Sequence, residues 1–483
     1  MTRLASPVST LLMSVVLTAC GGGKGAPSDS SAAYTMGVRS LVTDSAVAAI
    51  AQVVDTASGA FVAFRPDAIR EFVKTQERQL EQTALEFELG TLGTLQLRLR
   101  PDSQGVREDS SWSFIDRTDS TTQVVLSRAD SAFAGVVWKA GATYRIDRVE
   151  GEVYFLSRID PKLFRPEGRP RVPPVTKPPK AGAAADKPAV TTNCLPQLIS
   201  ILVAVPAADA TALRGFVQVK ANVRAAILAT NVAMHNSEVT HRVRLADVIE
   251  IDGASSGTLD ADLSHLIEPN DGVFDDLLAR RDGAKADVVV LWVKSATDAC
   301  GLGYLLTNAP AQSNLAMFSV VDACAVGNLS FAHELGHNLG LEHDRANAAM
   351  VPSFPWAFGY QQPNRSGRDI MAYDCEPAGC PRAPMYSSPT LSWAGLPMGI
   401  AATDANHSAD AARAVRANGC AVANLRSYPP AALPVAVTLT TLGNARQPVV
   451  DEPPFDLPSR RVESEAIVPS MWVKGYGGDR VDA

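Results

Sequence analysis

The chain has 483 residues, of which 46% are hydrophobic and 20% charged, and it carries a net charge of −7. A chain this long exceeds one ordinary hydrophobic core, so at least two domains are expected. The mild acidity, with both signs interspersed, argues against a nucleic-acid binder and against electrostatic adsorption to anionic lipid.

Residues 1–20 combine Arg3 with an apolar stretch over 11–19. The stretch is too short to span a bilayer and reads as a signal peptide. It ends Leu17-Thr18-Ala19-Cys20 and runs into Gly21-Gly22-Gly23. That wording resembles the lipobox of bacterial lipoproteins, which implies a lipidated Cys20 and a membrane anchor at the N-terminus. A plain signal peptide with an incidental cysteine is the alternative. Gly21 in place of Asp after the cysteine implies the outer membrane or cell surface. Residues 21–40 are rich in Gly, Ser and Ala and form a flexible tether.

Residues 41–160 read as a mostly-β domain. Helical periodicity over 67–85 gives way to strand alternation over 94–99, 123–127, 133–139, 143–149 and 152–157. The segment holds no metal-ligand cluster and no nucleophile motif. Residues 161–193 are a Pro-rich linker, expected to be semi-extended and open to proteases, with Arg169, Arg171, Lys177 and Lys180 as natural cleavage points.

Residues 194–427 alternate between strand and helix. A buried strand over 198–205 precedes a long Ala/Val/Leu-rich helix over 208–234, a strand over 242–251 and a broken helix over 260–281. A buried strand over 286–293 and short strands over 301–306 and 316–321 follow. Strands separated by helices predict a largely parallel sheet. Residues 428–483 are punctuated by proline and carry no legible motif.

Seven cysteines are present, and setting Cys20 aside leaves six. An even number in an exported chain predicts disulfides. The preferred local pairs are Cys300 with Cys324 and Cys375 with Cys380, which leaves Cys194 with Cys420. A structural zinc held by four cysteines is the alternative, although the spacings give no paired CxxC knuckles.

The chemistry concentrates between Phe331 and Arg345, F-A-H-E-L-G-H-N-L-G-L-E-H-D-R. On a helix, His333 and His337 project from one face one turn apart, so two imidazoles can meet one metal ion. Gly340 suits a left-handed helix end, after which the chain can turn and bring His343 back as a third ligand. Three neutral imidazoles suit zinc and leave a fourth position for water. Glu334, beside the first ligand, can take that water's proton and pass it to a leaving amine.

This motif resembles the extended signature of the metzincin metallopeptidases, HExxHxxGxxH. Asp344 and the wording H-E-L-G-H-N-L-G resemble the reprolysin (adamalysin) branch. Downstream, Asp369-Ile370-Met371-Ala372-Tyr373 resembles the Met-turn. The resemblance implies an α/β, zincin-like catalytic domain over 194–427, with a mixed, mostly parallel sheet and an active-site helix, preceded by a mostly-β prodomain. It implies a zinc endopeptidase with one catalytic ion, acting on proteins or peptides, and Met371 as the apolar floor beneath the metal. In related branches a tyrosine at the spacing of Tyr373 contacts zinc or the oxyanion; a packing role is the alternative. Cys300-Gly301-Leu302-Gly303-Tyr304 resembles the edge strand that reprolysins present to substrate, where a peptide pairs through backbone hydrogen bonds; a covered strand is the alternative. Residues 112–160 loosely resemble a reprolysin-type propeptide. One departure stands out. No cysteine occurs between Gly21 and Asn193, so a prodomain cysteine cannot cap the metal, and latency is left to a carboxylate, to steric cover, or is absent.

The expected function is therefore zinc-dependent endoproteolysis by a monomer in the cell envelope, or released from it by cleavage in the linker. A non-catalytic, zinc-containing surface peptide-binding lipoprotein is the alternative, and a hydrolase of non-peptide amides a third. The sequence leaves calcium binding and side-chain preference open.

Overall fold

The computed structural model describes residues 14–19, 34–37, 59–63, 83–88, 94–100, 111–139, 141–150, 153–160, 164–173, 197–268, 270–307, 316–322, 324–377 and 379–426. Ten strands form one antiparallel sheet: β1 (Ser14–Ala19), β2 (Tyr34–Gly37), β3 (Gly59–Ala63), β4 (Thr83–Glu88), β5 (Thr94–Leu99), β6 (Ser111–Asp116), β7 (Gln123–Ala129), β8 (Ala132–Lys139), β9 (Ala142–Glu150) and β10 (Val153–Arg158). Their order is β2-β1-β4-β5-β6-β7-β8-β9-β10-β3. The apolar stretch read as a signal segment supplies β1 of the full chain, paired with β2 and β4; Cys20 lies outside the described residues. Thr83 to Leu85, taken with the helical periodicity over 67–85, belong to strand β4 instead, and residues 67–82 lie outside the described residues. A period of 3.6 and a period of 2 are hard to separate over so few residues.

The second sheet has the order β12-β11-β13-β15-β14. β11 (Leu198–Pro206), β12 (Arg242–Ile251), β13 (Val288–Trp292) and β15 (Phe318–Val321) pair in parallel, and β14 (Gly301–Gly303) closes the edge antiparallel to β15. β13 is buried at every position, the near-continuous apolar run that a strand covered on both faces requires. Around this sheet lie α1 (Ala207–Ala212), α2 (Phe216–Asn236), α3 (Leu259–His265), α4 (Leu277–Gly283), α5 (Ser330–Asn338) and α6 (Ala411–Ala423). The apolar run over 208–234 is two helices, because Arg214 (φ 70°) and Gly215 (φ 96°) place consecutive residues in the left-handed region. The stretch over 260–281 is likewise two short helices.

The two sheets share one core. Val125, Ala134, Val136 and Trp138 of β7 and β8 belong to the same apolar cluster as α2 and β11. Helix α2 is accordingly buried on all sides over residues 225–234, which explains its lack of a polar face. Polar ties fix the docking: Gln218 Nε2 donates to Phe133 O at 3.1 Å, Arg224 Nη1 to Arg128 O at 3.0 Å, and Asn236 Nδ2 to Gln123 Oε1 at 3.0 Å. No helix among the described residues is long and apolar enough to cross a membrane.

Candidate metal centre

Helix α5 carries His333, Glu334 and His337, and every one of its residues is buried. Phe331 meets Trp292 of β13, ring centroids 6.4 Å apart. Asn338 Nδ2 reaches three carbonyl oxygens, those of Tyr304 (3.0 Å), Ala316 (2.7 Å) and Phe318 (3.1 Å), and so locks the helix beneath the edge strand. The helix closes on Gly340 (φ 87°), where a Cβ would also lie 2.3 Å from Ser353 Oγ, so conformation and space both demand glycine. β16 (Glu342–Asp344) then returns the chain to the helix. Glu342 anchors this return: Oε2 accepts from the His343 N–H at 2.6 Å, and Oε1 from the N–H groups of Ala349 (2.9 Å) and Met350 (2.8 Å).

The three rings converge as the spacing predicts. His333 Nε2 lies 3.1 Å from both His337 Nε2 and His343 Nε2. The tautomers of two rings follow from their other nitrogens. His333 Nδ1 donates to Ile370 O at 2.8 Å, and His337 Nδ1 donates to Leu341 O at 2.7 Å; a carbonyl can only accept. Both Nε2 atoms are therefore bare lone pairs aimed at each other inside a site with 0% exposure. Such a contact is repulsive until a cation sits between the rings, and the donor set is one that zinc favours. Nearby, both carboxylate oxygens of buried Glu334 lack a hydrogen-bond partner among the described residues. A carboxylate left like that is costly, and it fits a place where water or substrate belongs. The residues thus fit a zinc ion.

Met371 lies directly below the helix: a Cβ at Gly336 would stand 2.4 Å from its sulfur. Glycine at 336 is what lets Met371 approach the helix. Asp369 organises that turn, accepting from the N–H groups of Tyr360 (3.1 Å), Ala372 (2.8 Å) and Ser387 (2.8 Å). Asp344 ties the ligand strand to it, accepting from the Tyr373 N–H at 3.0 Å. The Tyr373 ring lies 4.2 Å from that of His343, and its hydroxyl donates to Glu167 O at 2.8 Å.

Gly301 and Gly303 of β14 face Glu334. A Cβ at Gly301 would sit 2.4 Å from Oε1, and one at Gly303 would sit 3.0 Å from Oε2. The edge of β14 is not open, as its resemblance to a substrate-presenting strand implied. Gly301, Leu302 and Gly303 are buried, and Tyr304 is 5% exposed. Residues 166–171 lie along that edge. Cys300 N donates to Pro166 O (3.1 Å), Gly168 N to Gly301 O (2.8 Å), Arg171 N to Gly303 O (3.0 Å) and Leu305 N to Arg171 O (2.7 Å). The described part of the Pro-rich linker, 164–173, is thus hydrogen-bonded along the edge over 166–171 and is not a free spacer. Its backbone donors and acceptors find partners on an unpaired sheet edge. Arg169 and Arg171 keep exposed side chains, but the Arg171 backbone is engaged; Lys177 and Lys180 lie outside the described residues.

Cys300–Cys324 and Cys375–Cys380 are disulfide-bonded, which removes the sulfurs that a four-cysteine metal site requires. The first joins the start of β14 to the loop before α5. Cys420 is also disulfide-bonded; Cys194 lies outside the described residues.

Burial pushes His337 down to about 4, and burial with the neighbouring rings pushes His333 and His343 well below the ordinary 6.5. The imidazoles are therefore neutral and ready to ligate at physiological pH. Burial and the charge of Glu167 push Glu334 well above the usual carboxylate range, against the opposing pull of Arg382. In metal-free protein, folded His337 takes up its proton near pH 4, whereas the unfolded chain does so near 6.5. Its contribution to stability is complete above 6.5 and is lost as pH falls towards 4. The stability margin of the chain over His337→Ala, read from urea midpoints, should shrink across that window. A margin constant from pH 7 to 4 contradicts the assignment.

Sequence reasoning placed Asp369 in the Met-turn segment without assigning it a role; it missed Glu342 and Asn338, and it missed Arg382, Asn328, Ser330 and Glu167, which meet beside the histidines. Only the Glu of L-E-H carried a local signal, an acidic residue next to a ligand.

A parallel sheet edged by one antiparallel strand, a buried helix with two histidines, a glycine turn to a third and a methionine floor together define a metzincin-like zinc metallopeptidase. Residues 198–387 match the Reprolysin_5 model, metallo-peptidase family M12. A peptidyl-Asp metalloendopeptidase of Xanthomonas campestris pv. campestris is 31% identical over 306 residues, 62% of this chain and 70% of that relative. One of Stenotrophomonas maltophilia (strain R551-3) is 29% identical over 368 residues, 73% of this chain and 86% of that relative. The chain belongs to metallopeptidase family M12 and is a zinc-dependent metalloendopeptidase.

Proposed function

We propose that His333, His337 and His343 hold a single zinc ion and that Glu334 is the general base and then the general acid of peptide hydrolysis, at aspartyl residues as in the relatives' names. Bound zinc supplies Lewis acidity and lowers the pKa of water to about 7. Glu334 receives the proton of the attacking water and delivers it to the leaving amine. Burial, which raises its proton affinity, suits both halves of that exchange. Tyr373, whose hydroxyl already holds a backbone carbonyl, orients the carbonyl under attack, and Met371 supports the histidines from below. The observation that carries this reading is the convergence of three Nε2 atoms beside a carboxylate with no hydrogen-bond partner among the described residues. Nothing comparable favours the binding-only reading.

A chelator should abolish cleavage of Asp-containing peptides by the chain, and added zinc should restore it; cleavage indifferent to chelation contradicts the proposal. Gly301→Ala supplies a finer test. The new methyl must displace the Glu334 carboxylate, so kcat/KM should fall at least about tenfold with zinc retained. Unchanged turnover would place the base elsewhere.

We further propose that the chain is exported and lipid-anchored through Cys20, with residues 41–160 as a propeptide-like domain and residues 428–483 as an extension of the peptidase. The disulfides are compatible with export. Mass spectrometry of the N-terminal peptide should find acylated Cys20; an unmodified thiol there contradicts the anchor.

A further inference from the structure

The buried ion pair beside the metal centre has no part in the chemistry described so far. Arg382 Nη1 donates to Glu167 Oε1 at 2.7 Å, with side chains 6% and 1% exposed. The same oxygen accepts from Asn328 Nδ2 at 2.9 Å and from Ser330 Oγ at 2.8 Å. Ser330 is the first residue of α5, three before His333, so this pocket adjoins the ligand helix. Glu167 itself belongs to the segment hydrogen-bonded along β14. Its backbone carbonyl takes the Tyr373 hydroxyl, and its neighbour Gly168 donates to Gly301, opposite Glu334. The fit is close: a Cβ at Gly168 would lie 2.8 Å from Leu302 Cδ1 and 2.9 Å from Gly301 O. Ion pairs of Arg165 with Asp322 and of Arg171 with Asp260 clamp the segment at both ends.

An extended segment pairs with the edge strand, presents a carbonyl to Tyr373 and sinks a carboxylate into a pocket of donors. A bound acidic peptide has to do the same things. We infer that Arg382, with Asn328 and Ser330, is the receptor for an acidic side chain of the substrate, and that Glu167 fills it as an internal stand-in in the intact chain. The inference rests on the peptidase reading above and deepens it by naming the residues that select the substrate. The pocket also has capacity in reserve, since Arg382 Nε and Glu167 Oε2 have no partner among the described residues. A buried guanidinium left unpaired is penalised, which is how such a site rejects neutral side chains. The linker carboxylate then takes the place of the absent prodomain cysteine: it blocks the pocket until the linker is cut or displaced.

Three full-length, zinc-loaded chains test this: the natural sequence, Glu167→Gln, and Glu167→Gln combined with Arg382→Gln or Arg382→Glu. Substrates are peptide pairs identical except for Asp, Asn or Lys at one position. Glu167→Gln should raise kcat/KM on the Asp peptide at least about tenfold by removing the charge that holds the linker in the pocket. Within that background the Asp-to-Asn ratio should be at least about 100, fall to about 1 with Arg382→Gln, and turn in favour of Lys with Arg382→Glu. Each ratio is taken within one preparation, so a misfolded fraction cancels. A ratio that survives both Arg382 changes overturns the receptor, and a Glu167→Gln chain no faster than the natural one overturns the stand-in. If no chain cuts any peptide while zinc is bound, even after its linker has been cut by an added protease, the peptidase reading itself fails and takes this inference with it.

Discussion

Glu334→Gln should lower turnover by about 10³-fold while leaving zinc content unchanged. Glutamine keeps the shape that fits between Gly301 and Gly303, so neither the edge strand nor α5 has cause to move. What it loses is the ability to accept a proton and return it. The carboxylate makes no hydrogen bond among the described residues, so thermal stability should hold or rise, because a buried ionisable group is replaced by a neutral one. Kinetics on an aspartyl peptide, together with metal analysis of the same sample, check both halves. Loss of zinc along with activity would make Glu334 a ligand, and near-normal turnover would assign the proton transfer to another group.

His337→Ala should instead remove the metal and all measurable activity together. Its ring is fully buried, donates to Leu341 O, meets the His333 ring at Nε2 and lies 4.9 Å, centroid to centroid, from the His343 ring. Alanine leaves two ligands, too few for a closed three-histidine site, and opens a cavity in the helix that supports the Met-turn. Zinc binding is also folding free energy for such a domain. The variant should therefore melt at the temperature of the metal-free chain or lower, and it should not respond to added zinc. A variant that still binds zinc stoichiometrically contradicts the ligand set.

The convergence of the three histidines is legible in the sequence because each step of the motif is local. Four residues separate His333 and His337 on one helix face, Gly340 permits the turn, and His343 returns within a few residues. Strands β11, β12 and β13 are legible for a similar reason, being apolar runs or alternations bounded by turns. What the sequence hides is contact between distant segments. Glu167 and Arg382 are 215 residues apart, and nothing in either neighbourhood announces the other. The same holds for Asn338, whose amide gathers three carbonyls from two other segments. The Pro-rich composition around Glu167 points to a free linker, yet an unpaired sheet edge supplies backbone partners that composition does not register. The break at Arg214–Gly215 is hidden because the flanking residues form one continuous apolar pattern.

X-ray absorption at the zinc edge of the purified full-length chain tests the central claim most directly. It should show one zinc per chain with three imidazole nitrogens at about 2.0–2.1 Å and one oxygen donor in the fourth position. Sulfur in the coordination shell, fewer than three imidazoles, or no bound zinc would contradict it.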